Sequence, residues 1–383
     1  MEINIEVVGS LAACSRAEWQ ELAGDNPFVS YDFLALLQSS GCASPETGWH
    51  PRYLLARRDG RLIGATFAYL KTHSRGEFVF DQGWAQAFQQ HGVAYYPKLL
   101  VAVPFSPVTG NRLLGESPEI REILAEALLT LAKDLDVSSV HVLFPDLDDE
   151  KLLRNAGYMV REQIQFHWRN VDYLDFSAFL SVMSHDKRKK IKQDRRRVTE
   201  AGVSFKWLTG DSIKQPELEF FYECYQKTYE EHWSAPYLTR AFFEELHRVR
   251  PDMLVLIIAE REGRPVACAL NIQGGGVLYG RYWGAVEFIS GLHFETCYMQ
   301  AIDYCIQNRL HKFEGGAQGE HKMARGLLPA RTTSAHWVAD PRFAAAVADF
   351  LGREVQAVGE YMEGLERSSP FRENALHPQG AKQ

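Results

Sequence analysis

The order of its helix-like and strand-like segments is the feature that most constrains the fold of this chain. Residues 52–79 alternate apolar and polar side chains around Asp59-Gly60, which is a strong signal for a β-hairpin. Apolar residues at helical spacing precede the hairpin and return at residues 120–134, before an apolar strand at 140–144. Strands interleaved with helices in this way predict an α/β fold with mixed sheets flanked by helices.

The second half of the chain repeats this order. It reads as a basic helix at 185–201, a strand, two helices, three strands, a helix at 294–310 and strands at 312–316 and 331–338, before a last helix at 342–365. Because 383 residues exceed the usual size of one domain, we predict two tandem lobes of similar architecture. The boundary is placed so that the lobes span residues 1–165 and 166–383.

Composition narrows the class of protein. Hydrophobic residues make up 46% and charged residues 24% of the chain, which is typical of a globular protein. The first residues show no secretory pattern, and the longest apolar run, at 253–259, has the length of a strand. Six scattered cysteines without a CxxC pair favour reduced thiols. These features predict a soluble cytoplasmic protein without a transmembrane segment.

Positive charge is concentrated in the predicted basic helix. Residues 185–197 hold eight Lys or Arg and two Asp, a balance of +6 in a chain of net charge −7, so the remaining residues carry −13. Helical spacing places Arg188, Lys192 and Arg195 on one face. Such a row suits the phosphates of a ligand or of RNA, although many charged helix faces are only solvated.

The segment 311–328 is the most site-like part of the sequence. A short strand leads into Gly315 and Gly316, which permit close approach of a ligand to the backbone, and then into a polar loop. The candidate side chains in and beside this loop are Glu314, Gln318, Glu320, His321, Lys322 and Arg325. Loops at strand ends often carry reactive groups, whereas a solvated turn is the alternative interpretation.

A second group of candidates lies upstream of that loop. Tyr282 and Trp283 end a predicted strand, and His293 and Glu295 open the following helix. In an α/β sheet, strand ends and a helix N-terminus of this kind face one crevice. We therefore expect all four residues to border the same site as the late loop, although core packing of the aromatic rings and helix capping by His293 are the simpler alternatives.

Several common sites are not indicated by the sequence. It has no P-loop and lacks the R/Q-x-x-G-x-G/A turn of CoA-binding acetyltransferases. Spacing typical of zinc ligands is missing too, because His311, His321 and His336 are too widely placed. We therefore predict no metal and no tightly bound cofactor.

These motifs resemble a known family. The runs YWG, LHFE, FEGGAQGEHKMARG and TSAHW in the second half, with YDFLALLQSSG and PFSPVTGNRLL in the first, are similar to the FemAB-like predicted N-acyltransferases of the peptidoglycan biosynthesis/recognition group. The resemblance covers nearly the whole chain. It implies two tandem GNAT-like lobes and, as in Fem enzymes, transfer of an amino acid from aminoacyl-tRNA to an amine of a peptidoglycan precursor.

The hypothesis is therefore an N-acyl or aminoacyl transferase with its active site in the C-terminal lobe. Glu314, Glu320 or His321 would accept the amine proton, and Lys322 or Arg325 would stabilise the oxyanion. Donor phosphates would be held by Lys187, Arg188 and Lys192. Two alternatives remain open at this point, namely an acyl-CoA donor in place of aminoacyl-tRNA, and a non-catalytic module that recognises a muropeptide or tRNA.

Overall fold

The fold is that of a computed structural model, which describes residues 2–316 and 319–372. It contains two compact units. Unit 1 comprises the chain up to Gln163 with Tyr237–Phe242 and Arg331–Glu360. Unit 2 comprises Ile164–Pro236, Phe243–Ala330 and the residues from Tyr361 onward.

Unit 1 is a mixed sheet with helices against it. Its strands are β1 (Ile3–Val8), β2 (Trp49–Arg58), β3 (Arg61–Lys71), β4 (Lys98–Val101), β5 (Leu114–Gly115), β6 (Ser139–Leu143) and the end of β13 (Leu328–Val338). Its helices are α1 (Arg16–Ala23), α2 (Tyr31–Ser39), α3 (Gln82–Gln90), α4 (Pro118–Asp134), α5 (Leu147–Asn155) and most of α12 (Pro341–Arg367). The strand order is β1-β2-β3-β4-β6-β13, with β4 and β6 parallel and the other pairs antiparallel.

Unit 2 repeats this plan. Its strands are the end of β7 (Met159–Arg169), β8 (Val203–Thr209), β9 (Leu254–Arg261), β10 (Arg264–Gly274), β11 (Val277–Ala285) and β12 (Lys312–Glu314). Its helices are α6 (Phe176–Val182), α7 (His185–Glu200), α8 (Gln215–Glu231), most of α9 (Arg240–Val249), α10 (Leu292–Phe294), a π-helical segment (Glu295–Met299) and α11 (Gln300–Gln307). The strand order is β8-β9-β10-β11-β12-β7, with β11 and β12 parallel.

The two units share one topology and exchange their sixth strands. Each has a four-stranded antiparallel meander, a parallel fifth strand and an antiparallel sixth strand. Unit 2 takes β7, which follows the unit 1 strands in sequence, and unit 1 takes β13 from near the end of the chain. The sequence predicts a single boundary after residue 165, whereas residues 237–242 and 331–360 lie in unit 1. Residues 331–360 belong there because β13 pairs with β6 and α12 follows it in the chain.

Local sequence signals account for many of these elements. At the turn between β2 and β3, Asp59 and Gly60 both have positive φ, of 52° and 83°, as a two-residue hairpin turn requires. Helix α2 begins after Ser30, whose hydroxyl accepts from the amide of Phe33. The α/β class with mixed sheets flanked by helices is confirmed. None of the described helices combines the length and the apolarity needed to cross a bilayer.

The carboxyl ends of the parallel strands differ between the units. In unit 1 the chain itself covers the end of β6, since the fully buried Arg112 donates from Nε to the Leu143 carbonyl at 2.8 Å and from Nη1 to the Gly110 carbonyl at 3.1 Å. The corresponding end of β12 in unit 2 borders an open cavity. Of these two strand ends, the one in unit 2 is therefore accessible to a ligand.

Candidate active site

A cavity lies in unit 2 where β11 separates from β12. The parallel pairing of these strands is limited to Val277–Tyr279 on β11, after which β11 continues to Ala285 with β10 as its partner. Opposite the point of separation, β10 has a register shift between Leu270 and Asn271, an irregularity that bends a strand. The cavity has a volume of about 140 Å³ and is lined by Ala269, Leu270, Asn271, Gly280, Arg281, Tyr282, Trp283, His293, Cys297, Tyr298, Phe313 and Gly315.

Two glycines are required at the strand ends that border this cavity. A β-carbon on Gly315 would lie 2.6 Å from Leu327 Cδ2, and one on Gly280 would lie 3.1 Å from the ring of Phe313. Gly316 has φ of 88°, a left-handed conformation that favours glycine. The Gly315-Gly316 pair is therefore explained by close packing and by the turn that leads into the late loop.

The helical wall of the cavity carries three polar or reactive groups. His293 lies in α10, and Cys297 and Tyr298 lie in the π-helical segment, a type of segment often found at functional sites. Burial, with the neighbouring His321, Arg325 and Lys322, lowers the pKa of His293 to about 4. His293 is therefore neutral at pH 7 and has a ring nitrogen able to accept a proton.

Lys322 is the buried cation next to the cavity. It lies in a 3₁₀ turn, Glu320–Arg325, and its Nζ donates to the Gly316 carbonyl at 2.9 Å. Its Cδ is 3.6 Å from the position that a β-carbon on Gly315 would take. Burial lowers the pKa of Lys322 to about 8, so the side chain is still mainly an ammonium ion at pH 7.

Arg325 and His321 extend this positive region. The Arg325 guanidinium lies over the ring of Phe294, with its Cζ 3.7 Å from the ring centre, and donates to the His321 carbonyl at 3.0 Å. His321 Nε2 lies 3.5 Å from the hydroxyl of Tyr298. Burial lowers the pKa of both Arg325 and His321. The loop thus gathers three basic side chains beside one cavity.

The three candidate carboxylates are placed elsewhere. Glu314 alternates with Phe313 along β12, so it lies on the sheet face opposite the cavity; Lys312 Nζ is 2.7 Å from its Oε1. That contact is an ion pair by distance but not a directed hydrogen bond, and neither Glu314 oxygen accepts one from the described residues. Exposed Glu320 accepts from the Tyr361 hydroxyl.

Glu295 has a structural partner. It is buried, and its Oε1 accepts from Arg195 Nε at 3.0 Å and from Gln300 Nε2 at 2.7 Å. Burial raises the pKa of Glu295 above its usual value. Glu295 and Arg195 thus tie the helical wall of the cavity to α7, and neither lines the cavity.

The remaining predicted cations, Lys187, Arg188 and Lys192, lie on helix α7. Ile191 and Val198 are buried, whereas Lys187 and Lys192 are exposed and Arg188 is half-buried. Within the described part of the chain, none of these three cations takes part in an ion pair. They remain candidates for binding phosphate.

The cavity gathers part of the predicted site and adds residues that were not predicted. Tyr282, Trp283, His293 and Gly315, four of the predicted site residues, line it; Gln318 lies outside the described residues. The lining residues with polar or reactive side chains that were not predicted are Asn271, Arg281, Cys297 and Tyr298. Buried Asn271 in the apolar run of β10 was the one signal available from sequence. No group of three or more metal-ligating side chains occurs among the described residues.

Comparison with known proteins gives a match at the level of the family. The model of the FemAB-like family, described as peptidoglycan biosynthesis/recognition, matches residues 10–373. The chain belongs to the FemAB-like family. The crystal structure of FemX is similar to this FemAB-like protein, with a TM-score of 0.55 and 11% sequence identity; the similarity covers 91% of this chain and 100% of the FemX chain. L-PGS from Bacillus licheniformis matches 88% of this chain with 96% of its own, at a TM-score of 0.54 and 11% identity.

These identities are low, so the two structures support the fold of the FemAB-like protein and no finer property. The predicted family is confirmed, and so is the predicted fold of two similar α/β units with mixed sheets flanked by helices. No curated protein sequence matches the chain.

Proposed function

We propose that this FemAB-like protein transfers an activated acyl or aminoacyl group to an amine, with a peptidoglycan precursor as acceptor. The observation that carries the proposal is the buried ammonium of Lys322 beside a cavity at the separated ends of β11 and β12. Carbonyl oxygen acquires negative charge when an amine attacks an ester or thioester, and a preorganised cation in a partly dry site stabilises that charge. The family description supports the choice of acceptor.

The chemistry can be assigned to residues around the cavity. The amine nitrogen bonds to the carbonyl carbon, and the carbonyl π electrons move to oxygen, where Lys322 stabilises them. His293, neutral at pH 7, accepts the proton that the amine loses. Collapse of the intermediate breaks the bond to the alcohol or thiol of the donor, and that leaving group takes the proton from His293.

His293 replaces the carboxylates as the preferred base because it lines the cavity, whereas Glu314 and Glu320 do not. His321 remains the second choice, since it lies next to Tyr298 at the cavity wall. Of the two candidate oxyanion-binding groups, Lys322 is preferred because the Arg325 guanidinium is stacked on Phe294.

The donor is proposed to be aminoacyl-tRNA, with its phosphates on Lys187, Arg188 and Lys192. One observation favours acyl-CoA instead: beyond Tyr279 the edge of β11 no longer pairs with β12. An extended donor chain with amide groups can pair with such an edge, as a peptide does in β-augmentation.

Product formation from each donor class decides between these candidates. The protein is incubated with an amine acceptor and either aminoacyl-tRNA or acyl-CoA, and the acylated acceptor is identified by mass spectrometry.

For the donor that gives product, K187E/K192E is expected to raise KM about tenfold because two phosphate contacts are lost, with kcat little changed. Lys206→Glu is the matched control, an exposed lysine on β8. Saturable binding of donors without any product would contradict transfer and favour the recognition module.

A further inference from the structure

The exposed residues of α7 include six Lys or Arg and two acids, Asp186 and Glu200, so the helix surface is basic. Two of its cations, Lys189 and Arg196, are not used by the proposed reaction. Lys189 and Arg196, seven residues apart, lie on the side opposite to the buried Ile191 and Val198, and both are exposed. Arg196 has a 3.6 Å contact with Glu200, and exposed pairs of this kind contribute little. This helix holds the +6 segment of a chain whose net charge is −7, so one surface of unit 2 is positive in an otherwise acidic protein.

Two large apolar side chains protrude next to this helix. Leu174 is 90% exposed and Phe288 is 95% exposed, far more than large apolar residues usually are. Their loops both border the second half of α7. Two residues after Leu174, the ring of Phe176 lies 4.2 Å from the Arg195 Cζ. Three residues after Phe288, a β-carbon on Gly291 would lie 3.5 Å from Val198 Cγ2.

We propose that Lys189, Arg196, Leu174 and Phe288 form a basic–apolar surface that docks on an anionic lipid bilayer. Basic side chains are attracted to anionic headgroups, and apolar side chains beside them gain by entering the acyl boundary. A polyanion such as RNA would use the cations, but it would leave the aliphatic Leu174 in water. The combination of charge with protruding aliphatic and aromatic groups therefore fits a lipid surface better than a nucleic acid. Docking of this kind is peripheral and reversible.

Vesicle binding tests the basic–apolar surface directly. The full chain is floated with vesicles of phosphatidylcholine alone and with vesicles that contain about 30% phosphatidylglycerol. Binding to the anionic vesicles alone is expected, and it should weaken as salt is added because the attraction is screened. The variants L174S/F288S and K189E/R196E should each lower the bound fraction at least about tenfold. All four residues are exposed, so both variants should keep the thermal midpoint of the wild type.

The matched control is Leu147→Ser, which removes a 68% exposed leucine at the start of α5 in unit 1 and should bind as the wild type does. Failure of the wild type to bind anionic vesicles would overturn the inference. So would wild-type binding by L174S/F288S with loss in K189E/R196E, because that result describes attraction to any polyanion, RNA included. The assay contains no acyl donor or acceptor, so its outcome is independent of the proposed transferase activity.

Discussion

Lys322→Ala is expected to lower kcat/KM for acyl transfer about 10²- to 10³-fold, the usual cost of removing one oxyanion-stabilising group. Lys322 Nζ contacts the Gly316 carbonyl beside the cavity, and alanine provides no donor to replace it. Because the pKa of Lys322 is lowered to about 8, wild-type activity should also fall as pH rises through about 8, where the ammonium is lost. Initial rates measured between pH 6 and pH 9 give both quantities.

Lys206→Ala serves as the control for this experiment. Lys206 is an exposed lysine of the same unit, paired with Glu260 at 2.7 Å, and its removal should leave kcat/KM within about twofold of the wild type. A Lys322→Ala protein that is folded and transfers at the wild-type rate would remove Lys322 from the proposed mechanism. Retention of the fall in activity near pH 8 by that variant would show that another group titrates.

Unit 1 is expected to lose stability in mild acid because of two buried histidines. His141 and His336 are cross-strand partners on β6 and β13, with their Nδ1 atoms 2.7 Å apart. In the neutral pair, one Nδ1 atom donates a hydrogen bond and the other accepts it. If both rings were protonated, two N–H groups would point at each other and the hydrogen bond would be lost. Burial, with Lys98, lowers the pKa of His141 to about 3, and burial lowers the pKa of His336 well below its usual range.

The groups that contact His141 and His336 do not offset the effect of burial on the pKa of the two rings. His141 Nε2 contacts the Ser139 hydroxyl at 2.8 Å and the Tyr95 hydroxyl at 3.2 Å. Tyr95 in turn donates to Asp81, whose charge is balanced by Lys98. His336 Nε2 contacts the Ser334 hydroxyl at 2.8 Å, and the rings of both histidines pack against Trp84. The positive charge of Arg161 further opposes protonation of His336.

The pH dependence follows from these depressed pKa values. Above about pH 6.5, the ordinary value for histidine, both rings are neutral in either state and their full stabilisation is present. As pH falls from about 6.5 toward 3, the unfolded chain binds protons that the folded chain does not. Each histidine then costs about 1.4 kcal/mol of unfolding free energy per pH unit.

Urea unfolding at pH 7.5, 6 and 5 measures this dependence. The wild type should lose stability at up to about 2.7 kcal/mol per pH unit below pH 6.5, and H141Q/H336Q should have a much flatter profile even if it is less stable at pH 7.5. His185→Gln, in which an exposed histidine is replaced, should reproduce the wild-type slope. Wild-type stability that is constant between pH 7.5 and 5 would show that the pair is not held neutral by burial.

Sequence patterns predicted the elements that local chemistry determines. Helix α7 spans His185–Glu200, close to the predicted 185–201, because its charged face and its buried Ile191 and Val198 are visible in the sequence. Helix α3 was not predicted. It is short and has Gly83 near its start, and it is stabilised by a distant partner, since the ring of Phe88 stacks on Phe343 of α12 at 3.9 Å.

The sequence indicated the loop that borders the candidate site, but not which of its side chains face the cavity. The density of ionisable residues located the late loop, but the strand preceding it decides which side chains face the cavity. Phe313 and Gly315 line the cavity and Glu314 does not, which strand alternation alone could have indicated. Three features have no comparable sequence signature, namely the exchange of β7 and β13, the register shift in β10 and the π-helical segment. The lobe boundary and the position of Cys297 and Tyr298 at the cavity could therefore not be predicted from the sequence.

Alkylation of Cys297 tests most directly whether the acyl donor occupies this cavity. Cys297 lines the cavity, whereas the other five cysteines are free but buried. Burial raises the pKa of the Cys297 thiol, so its alkylation is slow and a small uncharged reagent is used in large excess. The rate, followed by peptide mass spectrometry, should fall about tenfold when the donor is present at about ten times its Kd. An unchanged rate of Cys297 alkylation under conditions in which the donor is bound and consumed would place the chemistry elsewhere in the protein.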